Sequence, residues 1–268
     1  MTKTNLYMVD THAHLDMNVF DKDRDDVIFR AKEANVNSII SVGTNLESSK
    51  KAIGLAEKYP EILAAVGFHP HDSAKVGKAE IEELKDIANH PKVIAIGEIG
   101  LDFYRDYSPR EKQIQTVRLQ LDLATQLGLP VIIHCRQAER EILKLLCDWV
   151  FLNRNSQKQR LGVIHCFNSD KDALRQYLDM GYYISLGAYI GYPTSKLHNV
   201  ISDILDDRLL VETDCPFLPP QNYRGRRNEP AYISLTIEVL SKMKNQPYEQ
   251  VIQKTTNNAN FLFHLGVK

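Results

Sequence analysis

Six residues of this 268-residue chain carry side chains suited to holding metal ions, and they lie far apart: His12, His14, Glu98, His134, His165 and Asp214. Neutral imidazoles and carboxylates are the ligands of Zn2+, Mn2+ and related ions, and a histidine-rich set favours these two over Mg2+. In Asp10-Thr11-His12-Ala13-His14 the two histidines stand two apart. On an extended segment that spacing points both rings the same way, so they can clasp one ion. Glu98 has two oxygens and can bridge two ions. His134 and His165 can hold the second ion, while Asp214 can bind the first and take a proton from its water. A divalent ion lowers the pKa of a bound water to ~7, so the expected chemistry is hydrolysis at neutral pH.

Such residues meet only if the fold brings them together. Eight short apolar runs, each bounded by turn or polar residues, read as strands buried on both faces: Leu6–Val9, Val36–Val42, Ile62–Val66, Val93–Ile96, Pro130–Ile133, Gly162–Ile164, Tyr182–Leu186 and Leu209–Val211. Helical patterns alternate with them over Arg24–Asn35, Leu46–Lys58, Ile81–Ala88, Arg110–Leu127, Glu139–Phe151, Lys171–Met180 and Lys196–Leu205. Ser108-Pro109-Arg110-Glu111 is a helix start, and Gly128 with Pro130 ends that helix and opens the next strand. This alternation predicts an α/β protein, a (β/α)8 TIM barrel, for which about 250 residues is typical. Residues 1–268 then form a single domain. Further helices at Tyr232–Met243, Tyr248–Thr255 and Thr256–Leu265 are expected to complete the outer ring. The polar stretch Asn153–Arg160 reads as a surface loop on the N-terminal side of the barrel, away from the site.

The chemistry-bearing residues all fall at strand ends. His12 and His14 follow the first run, His69 the third and Glu98 the fourth; His134 ends the fifth, His165 the sixth, and Asp214 follows the eighth. Barrel enzymes place their catalytic groups at the C-terminal ends of strands, so these residues converge on one mouth. A lone histidine is more often a hydrogen-bonded core or surface residue, and that reading suffices for His90, His198 and His264. Cys135, Cys166 and Cys215 each directly follow a proposed ligand. Neighbours in a strand point to opposite faces, which argues against a thiolate site. Asp10 and Glu212 are read as partners that orient the ligands.

Composition narrows the class. A hydrophobic share of 43% with 25% charged residues is that of a soluble globular protein. No apolar run approaches the ~18 residues that span a bilayer. The N-terminal residues have no apolar stretch or cleavage pattern of a signal peptide, and the four cysteines show no paired spacing. A cytoplasmic protein is expected, with a monomer favoured. The net charge of −1 excludes a global basic field for gripping duplex DNA.

At the level of motifs the chain resembles the TatD family of metal-dependent deoxyribonucleases, within the amidohydrolase-type barrel superfamily. The resemblance rests on Asp10-Thr11-His12-Ala13-His14-Leu15-Asp16, Gly67-Phe68-His69-Pro70-His71, Gly97 to Tyr104, Pro130 to Arg136, His165-Cys166-Phe167, Val211 to Leu218, Arg226 to Pro230 and Asn258-Ala259-Asn260. It implies two divalent ions, one held by His12, His14, Glu98 and Asp214 and the other by Glu98, His134 and His165. It also implies cleavage of DNA phosphodiesters from the 3' end of single strands, with His69 at the scissile phosphate. One departure is local: Phe167 is followed by Asn168-Ser169-Asp170, without the family's glycine. A helix N-terminus there can still receive an anion.

The expected mechanism is attack of metal-activated water on a phosphodiester, with Asp214 as general base and Glu98 between the ions. Arg105, Arg136, Arg224, Arg226 and Arg227 are candidates for phosphate, with the Arg224–Arg227 cluster favoured because it follows the eighth strand. Tyr104 and Tyr223 can stack on unpaired bases. A small-molecule amidohydrolase or esterase would use the same metal site; the arginines and tyrosines at the mouth favour phosphate. A barrel that binds without turnover would lack a ligand or base, and none is lacking.

Overall fold

The apolar runs form eight strands: β1 Met8–Ala13, β2 Val36–Val42, β3 Ile62–Val66, β4 Val93–Asp102, β5 Val131–Arg136, β6 Gly162–Ile164, β7 Tyr183–Leu186 and β8 Leu209–Val211. The computed structural model describes residues 6–105, 107–153 and 160–266. Each strand pairs in parallel with the next, in the order β1 to β8. The ring closes through a parallel bridge from Ala13 to Cys215. Helices run outside the strands: α1 Arg24–Glu33, α2 Leu46–Lys58, α3 Lys78–Ala88, α4 Arg110–Leu127, α5 Glu139–Asn153, α6 Lys171–Met180 and α7 Ile233–Lys244, with α8 at Tyr248–Phe263. The fold is a (β/α)8 barrel. Among the described residues no helix is long and apolar enough to cross a membrane.

Local chemistry explains the helix boundaries. Asn45 caps α2, its side chain accepting from the Ser48 N–H while Ser48 reaches back to Asn45. Gly128 and Gly181 end α4 and α6 in left-handed conformations that cost glycine little. Two strands are longer than their apolar runs. β1 extends to Ala13 and β4 to Asp102, because buried His12, Glu98 and Asp102 continue the ladder as polar residues. His12 and Glu98 therefore stand within strands rather than after them.

The core has two layers. Val9, Ile40, Val42, Ala65, Ala95, Ile132, Val163, Tyr183 and Leu210 fill the barrel from all eight strands, and Ala259, Leu262 and Phe263 of α8 belong to the same cluster. The alternate strand residues pack outward on the helices. Thr256 donates to the Tyr7 carbonyl, and Asn258 to the Asp206 and Leu209 carbonyls, at the N-terminal ends of β1 and β8. Thus α8 closes the barrel floor instead of joining the outer ring. It is also one helix rather than two, since Thr255 bonds back to the Val251 carbonyl without breaking it.

Lys196–Leu205 is not an α-helix. It forms 3-10 turns at Lys196–Asn199 and Ile201–Asp203. The β-branched pair Val200-Ile201 is a poor helix interior, and the short β7–β8 connection is filled by turns that bury Leu197 and Ile201. The loop read at Asn153–Arg160 falls at positions 154–159 outside the described residues.

Asp206 ties the C-terminal helices to the barrel. It bonds Lys254 at 2.7 Å, Lys244 at 3.1 Å and Gln246 at 2.9 Å. Partial burial opposes its charge, but the two lysines and Gln246 prevail and bring its pKa from 3.8 down to about 2. A depressed folded-state pKa contributes stability above the unfolded value, lost as pH falls through the folded one. Asp206→Asn is expected to cost about 1 kcal/mol, because the group is solvent-screened, or about 2 °C of Tm. In thermal melts the gap between variant and wild type closes as pH falls from 3.8 toward about 2; a gap independent of pH contradicts this role.

Candidate metal centre

Glu98 is 3% exposed, and its two oxygens face different partners. Oε2 lies 3.5 Å from His12 Nε2 and 3.7 Å from His14 Nε2. Asp214 Oδ1 stands 3.8 and 3.5 Å from the same two nitrogens, which are 3.2 Å from each other. Donors bonded at ~2.1 Å around one ion would stand about 3.4 Å apart, so these spacings suit an ion, and His12, His14 and Asp214 can jointly hold one. Oε1 lies 2.6 Å from His134 Nδ1, 2.9 Å from His165 Nε2 and 3.6 Å from His69 Nε2. His134 Nδ1 and His165 Nε2 are 3.2 Å apart. A second group of donors thus converges on the other oxygen, and His69, Glu98 and His134 can jointly hold an ion. All six sequence-derived ligands meet at one place.

The backbone sets this arrangement. The Asp214 N–H donates to the His12 carbonyl and the His14 N–H to the Cys215 carbonyl, each at 2.8 Å, so barrel closure and the first donor group are one structure. Asp214 sits at φ +55°, a left-handed conformation that aspartate tolerates better than most residues. In β4 the register shifts between Ile96 and Ile99, which releases Glu98 from strict alternation. A Cβ at Gly100 would overlap the His134 carbonyl, so β4 approaches β5 there as only glycine permits.

Outer partners fix the rings. The His14 Nδ1 bonds the Val42 carbonyl at 2.9 Å. Glu212, fully buried, accepts from the Cys166 N–H at 2.6 Å and faces His165 Nδ1 at 3.3 Å. Asp10 accepts from the His12 N–H and from the Thr213 N–H and hydroxyl. Glu212 thus faces a ring, and Asp10 holds the backbone of His12 and Thr213. One further group escaped the sequence reading. Asp102 Oδ2 bonds His71 Nε2 at 2.8 Å and lies 3.6 Å from His134 Nε2, so it steadies two imidazoles. Its only signal was membership of the Gly97–Tyr104 motif.

The electrostatics call for positive charge. Burial opposes ionisation of Glu98, but His165, His69, His12 and His134 around it hold its carboxyl well below the usual range. Burial lowers His14, yet Asp214 and Glu98 raise it to about 9. His165 is likewise raised against burial, by Glu98 and Glu212. His69 is held well below 6.5 by burial, with His134 and His71 acting the same way, and stays neutral. A site that draws protons onto His14 and His165 also attracts a divalent ion, which competes with those protons.

The rim differs from expectation in part. Tyr104 is 53% exposed, with the Arg136 guanidinium 4.0 Å from its ring centre. Arg226 is exposed beside Tyr223, at 5.8 Å. Arg227, in contrast, is taken up by Asp23 through bonds of 2.8 and 2.6 Å and by the Val19 carbonyl. Tyr223 stacks on Tyr232 at 4.4 Å, which covers one of its faces. Beyond Phe167 the N-terminus of α6 is capped by the Asp170 carboxylate, which accepts from the Ala173 N–H in the place of an external anion.

The sequence model described as TatD related DNase matches residues 9–264. The chain belongs to the TatD-related DNase family. It is therefore an enzyme of a family of metal-dependent hydrolases acting on phosphodiester bonds. It is similar to an uncharacterized metal-dependent hydrolase, YabD, of Bacillus subtilis, at 36% identity over 97% of this chain and 100% of that one. The "3'-5' ssDNA/RNA exonuclease TatD" of Salmonella typhimurium is 33% identical over 96% of this chain and 99% of its own. Among solved structures, the TatD homologue YJJV of Escherichia coli K12 superposes with a TM-score of 0.90 at 32% identity, covering 97% of this chain and 99% of that one.

Asn228 braces the loop that carries Asp214. Its side-chain N–H groups donate to the Thr213 and Phe217 carbonyls at 2.8 Å, and its oxygen accepts from the Glu229 N–H at 3.0 Å. Asn228→Ala leaves these buried groups unpaired and is expected to cost about 2–3 kcal/mol in urea denaturation. An unchanged midpoint contradicts the brace.

Proposed function

We propose that residues 1–268 form one domain, a cytoplasmic 3'-5' exonuclease that removes nucleotides from single-stranded DNA ends with the help of two divalent ions. The observation that carries this reading is the division of Glu98, with His12, His14 and Asp214 around one oxygen and His134, His165 and His69 around the other. The names of the curated relatives support the substrate and the polarity, and they extend it to RNA. A net charge of −1 fits a few local contacts to one strand end better than a long grip on a duplex.

In this reading His12, His14, Glu98 and Asp214 hold one ion and Glu98, His134 and His165 the other, with Zn2+ or Mn2+ matching the nitrogen-rich donors. Bound ions supply the charge that polarises a phosphodiester and makes water a nucleophile at neutral pH. The chain does the rest. Asp214 takes the proton of the attacking water as general base, through the carboxylate oxygen not turned to the His12 and His14 nitrogens. Neutral His69 donates a ring N–H to the scissile phosphate. Glu98 stays ionised, fixing both donor groups relative to each other, while Glu212, Asp10 and Asp102 hold the rings and loops in place. At the rim, Tyr104 presents a face to an unpaired base and Arg226 its charge to the backbone.

The test is a gel assay of metal-stripped protein on end-labelled single-stranded DNA, with Mg2+, Mn2+ or Zn2+ restored in turn. The expected result is a ladder shortening from the 3' end that requires metal. It falls by about 100- to 1,000-fold in Glu98→Ala, because the ions that would stabilise transition-state charge lose the carboxylate that holds them. No cleavage with any of the three ions, by folded and metal-loaded protein, sinks the nuclease reading and favours a small ester or amide substrate.

A further inference from the structure

Beside the first donor group the mouth opens into a groove of ≈550 Å3 between the loops that follow β1, β2 and β8. Asp16, Met17, Val19, Thr44, Asn45 and Phe217 line it. Its size lies within the ~300–1,000 Å3 of small-ligand sites. Two large apolar side chains stand exposed on its walls, Phe217 at 47% and Val19 at 52%. The Phe217 ring lies 5.9 Å from that of His14, so the groove starts where the His12, His14 and Asp214 donors end.

Asp16 distinguishes this groove from an ordinary surface cleft. It is 6% exposed, and its Oδ1 has no hydrogen-bond partner among the described residues. Buried carboxylate oxygens in native proteins are almost always paired, since leaving one unpaired costs ~1–3 kcal/mol. Arg24 bonds the Leu15 and Met17 carbonyls and Asp21, and Lys51, on the groove wall, pairs with Glu47, so neither cation bonds Oδ1. Nor does Asp16 belong to the groups whose ligand atoms converge on the histidines. Asp16 lines the groove, so a donor entering there would satisfy it.

We propose that the groove receives the terminal nucleoside of the strand, with its free 3'-hydroxyl donating to Asp16 Oδ1 and its base lying against Phe217. The inference rests on the nuclease reading and adds the means by which an end is recognised. A buried carboxylate accepts a hydroxyl but repels a phosphate. A strand that continued past this nucleotide would drive its next phosphate against Asp16. The same side chain that binds the end thus excludes an internal position, and cleavage proceeds one nucleotide at a time. Phe217 supplies a stacking surface that tolerates any base.

The experiment uses metal-loaded full-length protein, wild type and the variants Asp16→Ala and Phe217→Ala, on 5'-labelled single strands ending in a 3'-hydroxyl, a 3'-deoxy sugar or a 3'-phosphate. In wild type, release of the first nucleotide is expected to slow about tenfold without the hydroxyl, and further with the phosphate. Asp16→Ala, which removes both the acceptor and the charge, is expected to cleave the hydroxyl and deoxy ends at equal rates and to regain activity on the phosphate end. Phe217→Ala, altered at an exposed position, is expected to raise KM about tenfold with kcat held. Asp16→Ala keeping the wild-type preference among ends overturns the inference. Calorimetric titration with thymidine 5'-monophosphate reads the groove without turnover: wild type binds and both variants bind about tenfold more weakly. Absence of binding to wild type overturns the inference as well. If wild type cuts no strand, the nuclease reading falls, and the titration still decides the groove.

Discussion

Glu98 is an ionised carboxylate with almost no access to water, and a buried charge persists only where positive charge or strong donors surround it. Here five imidazoles, from His12, His14, His69, His134 and His165, crowd its two oxygens at 2.6–3.7 Å. These rings come from four different places in the chain, so the demand of one side chain is met only by the closed barrel. The cluster is in turn a poor arrangement without added cations. His14 and His165 are drawn toward protonation by the carboxylates beside them. Divalent ions would relieve the same demand and leave the imidazoles neutral.

Barrel closure and site assembly are the same event. The strand that begins the chain and the loop that follows its last strand exchange backbone bonds at His12, Ala13 and His14 against Asp214 and Cys215. Asn228 and the Asp10–Thr213 pair then hold that loop from behind. At the opposite end α8 plugs the floor with Leu262 and Phe263. The polar mouth is thus supported from below by a packed apolar column, with His12, Glu98 and His134 in the strands themselves and His14, His165 and Asp214 just beyond strand ends.

Much of this was legible in the sequence, for physical reasons that differ by element. Apolar runs mark strands buried on both faces, and the ligand histidines stand at their ends, so the barrel and the six donors followed together. The ends of β1 and β4 were misjudged because His12, Glu98 and Asp102 are polar yet buried, and hydropathy cannot see burial that is satisfied by neighbours. The β7–β8 connection read as a helix because Leu197, Val200, Ile201 and Ile204 are spaced by three or four, a spacing that successive 3-10 turns also bury. Asp102 and His71 stood in quoted motifs, but their roles were not legible because they lie in a contact across 31 residues. Arg227 looked like a phosphate contact, and its partner Asp23 lies 204 positions away.

The central claim is that Glu98 stands between two ions. Anomalous diffraction from crystals grown with Mn2+ tests it directly. The account predicts two peaks flanking the Glu98 carboxylate, one within ligand distance of His12, His14 and Asp214 and the other of His134 and His165. A single peak at full Mn2+ saturation, or two peaks of which neither touches Glu98, would contradict it.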